Sequence, residues 1–524
     1  MGRDWLSEEL ISSAAKAHQR EAKNRNEVIN APSRSWNSIT ARTHVHSNFR
    51  TSATELFSRK EMVRSRFRAA IASFRQRCWH SSCFKDDLPA MTPAPHDTSI
   101  PTLGPCLFDS PLQRIGGVEA PYKEDALDRI LYHSHLLEDG RDVSTPSYEE
   151  AGPREKIYFD PTRTTAGIVT CGGLCPGLND IIRGLVNQCH RQYGISRVFG
   201  FRYGYEGLVQ SYGHTPLLLK PSSVEQAHHF GGTLLGSSRG QQDIGEMVDT
   251  LEDMKVDILF VIGGDGTLRG ASEITKEIER RGLKKAIVGI PKTIDNDIRY
   301  LDKSFGFETA FEAAVQAVNC AYVEANGAVN GVGLVKLMGR DSGFIACYAA
   351  LAGSNVDFVL IPEVRFELEG DGGLLETLRH RLMKRGSAVV VVSEGAGQHL
   401  IPEAQGTDAS GNKRYGDIGQ FMKDRINAFF KQRRTEVNLK YIDPSYIVRS
   451  VPANAQDNVY CSRLAQSAVH AAMAGKTGML VGRWHGSFVH LPLDLVTQGR
   501  RKVDPTQELW HSVLQCTGQP AVMR

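Results

Sequence analysis

Asp295 and Asp297 stand two residues apart in the stretch Ile290-Pro291-Lys292-Thr293-Ile294-Asp295-Asn296-Asp297. The apolar run Ala286 to Ile290 before them reads as a buried strand. Open α/β sheets present ligands at the carboxyl ends of their strands, so this spacing puts both carboxylates where chemistry is done. A carboxylate there suits a general base that takes the proton of an attacking hydroxyl. A Pro-Asn turn capping a helix is the plain structural alternative. Upstream, Gly263-Gly264-Asp265-Gly266-Thr267 follows the apolar run Phe260-Val261-Ile262. Asp265 there has the character of a magnesium contact, because Mg²⁺ commonly takes one or two carboxylates together with phosphate oxygens and waters; a helix cap is the competing reading. Together the two loops point to phosphoryl transfer. Asp295 would be the base, Lys292 and Thr293 would hold phosphate oxygens, and Asp297 would orient Asp295 or the metal.

Other loops fit the same chemistry. Gly172-Gly173-Leu174-Cys175-Pro176-Gly177 follows an apolar run and opens a helix at Leu178. Residues without a Cβ let a nucleotide approach the backbone, and N–H groups at a helix start face phosphates. The pattern is neither G-x-G-x-x-G nor a Walker loop, which disfavours a standard dinucleotide fold or Walker ATPase. In Gly231 to Gly240, Arg239 can lie over a phosphate with its planar fork. Met338-Gly339-Arg340, Ser393-Glu394-Gly395 and Tyr446-Ile447-Val448-Arg449 each end or follow an expected element. Singly, each reads equally as a salt bridge. Jointly they offer cations for a sugar phosphate and Glu394 for ring hydroxyls.

These loops need a parallel sheet behind them. Runs at Ala166–Thr170, Ile258–Ile262, Ala286–Ile290, Val332–Leu337, Phe358–Ile361, Ala388–Ser393 and Gly478–Val481 read as buried parallel strands. Helical patterns alternate with them, from Leu178–Arg191 to Val459–Ala474, which means an α/β fold with helices on both sheet faces. The chain has 524 residues, more than one core usually organises, so two lobes plus extensions are expected. Its net charge of +3 gives no whole-chain argument for nucleic acid or an anionic membrane, and no apolar run reaches a membrane span. Ten scattered cysteines, Cys171 and Cys175 among them, read as reduced thiols. Residues 1 to 95 are basic; Met62 to Phe74 fits a basic amphipathic helix within a solvated tail, or within a transit peptide, against which stand Asp4, Glu8 and Glu9. Prolines from Pro89 to Pro121 suggest a linker or strap.

The ordered motifs TCGGLCPG, GGTLLGSSRG, IGGDGT, PKTIDND, SFGFETA, KLMGRDSGF, SEGAGQ and YIDPSYIVRS resemble those of 6-phosphofructokinases, most closely the plant-type, ATP-dependent branch. The likeness runs from about Pro153 to Pro492. It implies two Rossmann-like lobes with the active site in the cleft: a nucleotide lobe at 161–310, and a sugar-phosphate lobe at 311–495 with segments returning to the first. Residues 96–160 would be the strap and 496–524 a tail. It further implies ATP contacts at Gly172, Arg239, Gly240, Gly264, Asp265, Gly266 and Thr267, with Mg²⁺ on Asp265. Asp295 matches the base, within a Thr293-Ile294-Asp295 substrate segment. Fructose 6-phosphate would meet Met338, Gly339, Arg340, Glu394, Tyr446, Ile447, Val448 and Arg449. A cytoplasmic homo-oligomer, with a tetramer favoured, follows from the same likeness; the basic extension leaves an organelle as the alternative.

Three positions depart from the bacterial pattern. Lys292 also stands in pyrophosphate-using relatives, where bacterial ATP enzymes have Gly. Those relatives typically carry Asp where Gly266 stands, so Gly266 favours a full nucleotide over pyrophosphate. Tyr446 replaces a His, and Gly331 falls where an Arg is donated across a subunit boundary. NAD and diacylglycerol kinases share a GGDGT-like loop but not PKTIDND with MGR downstream. A non-catalytic sensor on the same fold would have no need of a base.

Overall fold

The computed structural model describes residues 97–524 apart from 113, 116–117, 135–145, 403–405 and 407–413. The expected helix at Met62–Phe74 lies outside the described residues. After short strand pairs between Phe108 and Ile157, the strands of the two main sheets begin with β1 (Thr165–Thr170), β2 (Arg197–Gly200), β3 (Leu217–Leu218), β4 (Ile258–Gly263) and β5 (Ala286–Pro291). They are followed by β6 (Gly331–Leu337), β7 (Phe358–Leu360), β8 (Ser387–Ser393) and β9 (Asn438–Ile442), and last by β10 (Met479–Trp484) and β11 (Ser487–Pro492). Two main sheets result. One has seven strands in the order β11-β10-β5-β4-β1-β2-β3, and the other has four in the order β7-β8-β6-β9. The smaller sheet is parallel throughout. In the larger, only the outer pairs β10/β11 and β2/β3 run antiparallel.

Every residue of β1, β4 and β5 is buried. That is why these runs are apolar without alternation: helices cover both faces. Register then places the chemistry. The last paired residues of β4 and β5 are Gly263 and Pro291, and the Lys292 N–H donates to the Gly263 carbonyl at 2.9 Å. The two principal loops therefore leave the sheet side by side. On the smaller sheet Leu337 pairs with Ser393, so the Met338 and Glu394 loops also start level.

Six helices matter for the site: α1 (Leu178–Asn187), α2 (Asp265–Arg280), α3 (Phe307–Asn326), α4 (Phe344–Gly353), α5 (Ser445–Ser450) and α6 (Ala455–Met473). Leu178, Ile181, Ile182 and Leu185 of α1 share one core with Ile168, Ile262 and Ile290 of the larger sheet. The same core runs through α3, α4 and α6 to Val335 and Val391 of the smaller sheet. Each fully buried branched or aromatic side chain there contributes roughly 1.5–3 kcal/mol. The described part of the 96–160 segment is pinned rather than trailing. The Leu103 N–H donates to the Gly475 carbonyl at 2.9 Å, Glu150 bridges Val489 of β11, and buried Lys476 pairs with Glu149 at 3.0 Å.

Candidate active site

On the nucleotide side, the loop after β1 turns at Gly172 (φ 84°) and ends at Gly177 (φ 95°), which caps α1. Both angles favour glycine. The Gly172 N–H donates to the Ser238 carbonyl at 3.0 Å and the Ser237 hydroxyl to the Gly172 carbonyl at 2.6 Å, so the Arg239 loop lies directly on it. Three cations converge here. Lys292 Nζ donates to the Gly173 carbonyl at 2.7 Å, while Arg239 Nη2 and Arg449 Nη1 lie 3.2 and 3.8 Å from where a Gly173 Cβ would stand. Burial pulls the Lys292 ammonium pKa down. Gly264 caps α2 and Asp265 is its first residue, so backbone N–H groups and the positive end of the helix dipole face a cavity of about 1010 Å³ walled by these loops. A Cβ on Gly266 would meet nothing within 4 Å.

The Asp265 carboxylate pairs with Arg269 at 2.7 Å and faces Arg500 at 3.9 Å. Among the described residues no group of three or more His, Cys, Asp or Glu side chains forms a cation cage. A single carboxylate at the start of α2, lining this cavity, fits Mg²⁺, which takes its remaining ligands from waters and substrate oxygens.

On the acceptor side, Asp295 accepts from the Arg340 N–H through Oδ2 at 3.4 Å, and its N–H donates to Thr293 Oγ1 at 3.2 Å. Its Oδ1 is inaccessible and unpartnered. Burial first, then the charges of Asp297 and Glu394, push the Asp295 pKa well above the carboxylate range. Asp297 accepts from the Thr293 hydroxyl at 2.7 Å, and burial raises its pKa too. Burial likewise raises Glu394. Gly339 sits at φ 126°, and its carbonyl accepts from the Gly395 N–H at 3.1 Å, which locks the two acceptor loops together. The Arg340 guanidinium stacks over Tyr415 at 4.5 Å.

The expected residues divide clearly. Gly172, Arg239, Gly240, Gly264 to Thr267 and Lys292 share the cavity, and Asp295 is tied to Arg340. Tyr446 and Ile447 are 75% and 65% exposed, whereas the side chains of Val448 and Ile294 belong to the core, leaving only their backbone for a ligand. Arg449 lies under the Tyr446 ring at 4.8 Å. Cys171 and Cys175 are free thiols whose pKa burial pushes up to about 12. The motif reading missed Arg500. Its only signal was the basic run Arg500-Arg501-Lys502 after the last strand.

Comparison with known proteins agrees with this geometry. Residues 165–472 match the family described as Phosphofructokinase. An ATP-dependent 6-phosphofructokinase of Amycolatopsis methanolica is 50% identical over 441 residues, covering 81% of this chain and 95% of that protein. ATP-dependent 6-phosphofructokinase 7 of Arabidopsis thaliana is 49% identical over 379 residues, 72% of this chain and 78% of the relative. Among solved structures, a pyrophosphate-dependent phosphofructokinase of Marinobacter aquaeolei superposes with a TM-score of 0.55 at 20% identity, covering 67% of this chain and 91% of that one, a likeness of fold alone. With the motif order, the two-sheet architecture and these identities in agreement, the chain belongs to the phosphofructokinase family.

Proposed function

We propose that this chain transfers the γ-phosphoryl group of ATP to the 1-hydroxyl of fructose 6-phosphate, giving ADP and fructose 1,6-bisphosphate in glycolysis. The observation that carries the reading is the Asp295 carboxyl: one oxygen is held by the Arg340 N–H and the other is without a partner, on the loop beside the cavity. A proton affinity raised by burial makes it the stronger base toward the attacking hydroxyl. Lys292, Arg239 and the α2 N-terminus hold phosphate oxygens. Asp265 holds Mg²⁺, which neutralises phosphate charge when bound. Asp297 keeps the Thr293-Asp295 turn in place through the Thr293 hydroxyl. Arg340, Arg449, Glu394 and the backbone of Met338, Gly339 and Tyr446 to Val448 receive the sugar phosphate. Residues 161–310 serve as the nucleotide lobe and 311–495 as the sugar-phosphate lobe, in a homo-oligomer for which a tetramer is the favoured state. Among the described residues no helix is long and apolar enough to cross a membrane. A cytoplasmic location is the reading, with an organelle as its alternative.

The donor is the testable point. Open space at Gly266 supports ATP over pyrophosphate, as do relatives named ATP-dependent at 45–50% identity. Initial rates with fructose 6-phosphate and Mg²⁺, using ATP or pyrophosphate, decide it. Turnover with ATP alone is expected; turnover with pyrophosphate alone would overturn the donor assignment.

A further inference from the structure

Arg500 sits where three loops meet. Its guanidinium faces Asp297 at 3.5 Å and Asp265 at 3.9 Å and makes a close ion pair with Asp341. Those carboxylates follow β4, β5 and β6, so one side chain ties the nucleotide loop, the base loop and the acceptor loop across both sheets. Backbone contacts deliver it. Ile298 and Arg500 form an antiparallel bridge, the Arg501 N–H donates to the Asp297 carbonyl at 2.7 Å, and Arg501 Nη1 donates to the Leu301 and Asp302 carbonyls at 3.0 and 2.7 Å. Farther on, the Val503 N–H donates to Glu363 Oε1 at 2.8 Å, the oxygen that also accepts from the Gly343 N–H at 3.0 Å. The 500–503 segment is thereby fixed at several points, and the Arg500 side chain lines the cavity.

Asp295 is reached from Arg500 along two short paths. One runs through Asp297 and the Thr293 hydroxyl to the Asp295 N–H; the other runs through Asp341 and its neighbour Arg340, whose N–H holds Asp295 Oδ2. Four carboxylates crowd this point, and like charges so placed repel. We infer that Arg500 is a positioning residue for phosphoryl transfer: it gathers the Asp297 and Asp341 loops around Asp295 and stands against Asp265 as a cation that metal-bound nucleotide replaces. This rests on the assignment of Asp295 as the base.

The test compares Arg500→Met and Arg500→Lys in the full chain, with Asp295→Asn as control. For Arg500→Met, kcat falls by about 10²-fold, the loss typical of a misplaced reacting group, while KM for fructose 6-phosphate stays close to wild type. Arg500→Lys, or added guanidinium with Arg500→Met, recovers part of the loss, which a merely structural defect would not. Calorimetric titration with Mg²⁺ and a non-hydrolysable ATP analogue shows binding at least as tight as wild type, because Asp265 has lost a competing cation. A wild-type kcat in Arg500→Met overturns the inference. So does binding of the analogue weakened by more than about tenfold, which would make Arg500 a phosphate ligand instead. Normal turnover by Asp295→Asn would remove the base assignment itself. A dead Asp295→Asn beside a fully active Arg500→Met would sink only the role of Arg500.

Discussion

Gly266 and Gly395 flank the same site and are glycine for opposite reasons. A Cβ on Gly266 would enter open space beside the cavity, whereas one on Gly395 would fall 1.8 Å from the Arg340 carbonyl oxygen. The first keeps room for a ligand; the second lets two backbones touch. The nucleotide side is thus spare, built from a helix start and a few cations. The acceptor side is interlocked: Gly395 holds the Gly339 carbonyl, and Arg340 next to it holds Asp295. A change at one acceptor loop is transmitted to the base, while a side chain added at Gly266 meets no neighbour within 4 Å.

Asp295→Asn, placed between the two regions, gives the largest effect. Loss of a general base lowers kcat by roughly 10²–10⁴-fold, with the affinity for fructose 6-phosphate, measured by equilibrium titration, little changed. Equal losses of turnover and affinity would instead assign Asp295 to the binding side. Gly266→Asp comes next. A carboxylate pushed toward the nucleotide phosphates costs several kcal/mol of like-charge repulsion, about 10²-fold or more in kcat/KM for ATP. Stability, read from denaturant unfolding, should stay within about 0.5 kcal/mol because the side chain displaces nothing. Gly395→Ala reverses that profile: the collision destabilises by about 1–3 kcal/mol and lowers kcat without favouring either phosphoryl donor. Were Gly395→Ala fully stable, the interlock would be an illusion.

The smallest effect is in pH. The Asp295 pKa is raised, so the protonated, inactive form persists above the ordinary carboxylate value of about 3.9. Activity is lost as pH falls through that raised value. Asp297→Asn removes a like charge, so the acid limb of its kcat/KM profile should move to lower pH. A limb that stays fixed would show that Asp297 acts on Asp295 only through Thr293.

The strands carrying chemistry were legible because they are buried on both faces, and an unbroken apolar run as short as Ala286–Ile290 suits a covered parallel strand better than a helix. The hidden elements were those whose patterns are weak. Strand β9, Asn438–Ile442, is only partly buried and mixes polar with apolar residues. Helix α4 is apolar nearly all round, which erases the helical period. Strand β11 follows a tight turn at His485-Gly486. The loop residues were readable from glycine and charge in sequence. Arg500 was not, since its meaning lies in three carboxylates far away along the chain and near in space. Val448 and Ile294 teach a related lesson: membership of a motif does not say whether side chain or backbone meets the ligand.

The larger sheet is finished late. Strands β10 and β11 reach its edge only after the whole smaller sheet has been threaded, and β10 lies directly against β5. A nascent chain ending before Met479 would therefore expose the fully apolar flank of β5 as an open edge, the kind of surface that recruits other chains. Synthesis of this protein thus passes through a long interval in which the half bearing Asp265 and Asp295 has been translated but cannot yet close. Fragments made for study should be cut with that dependence in mind.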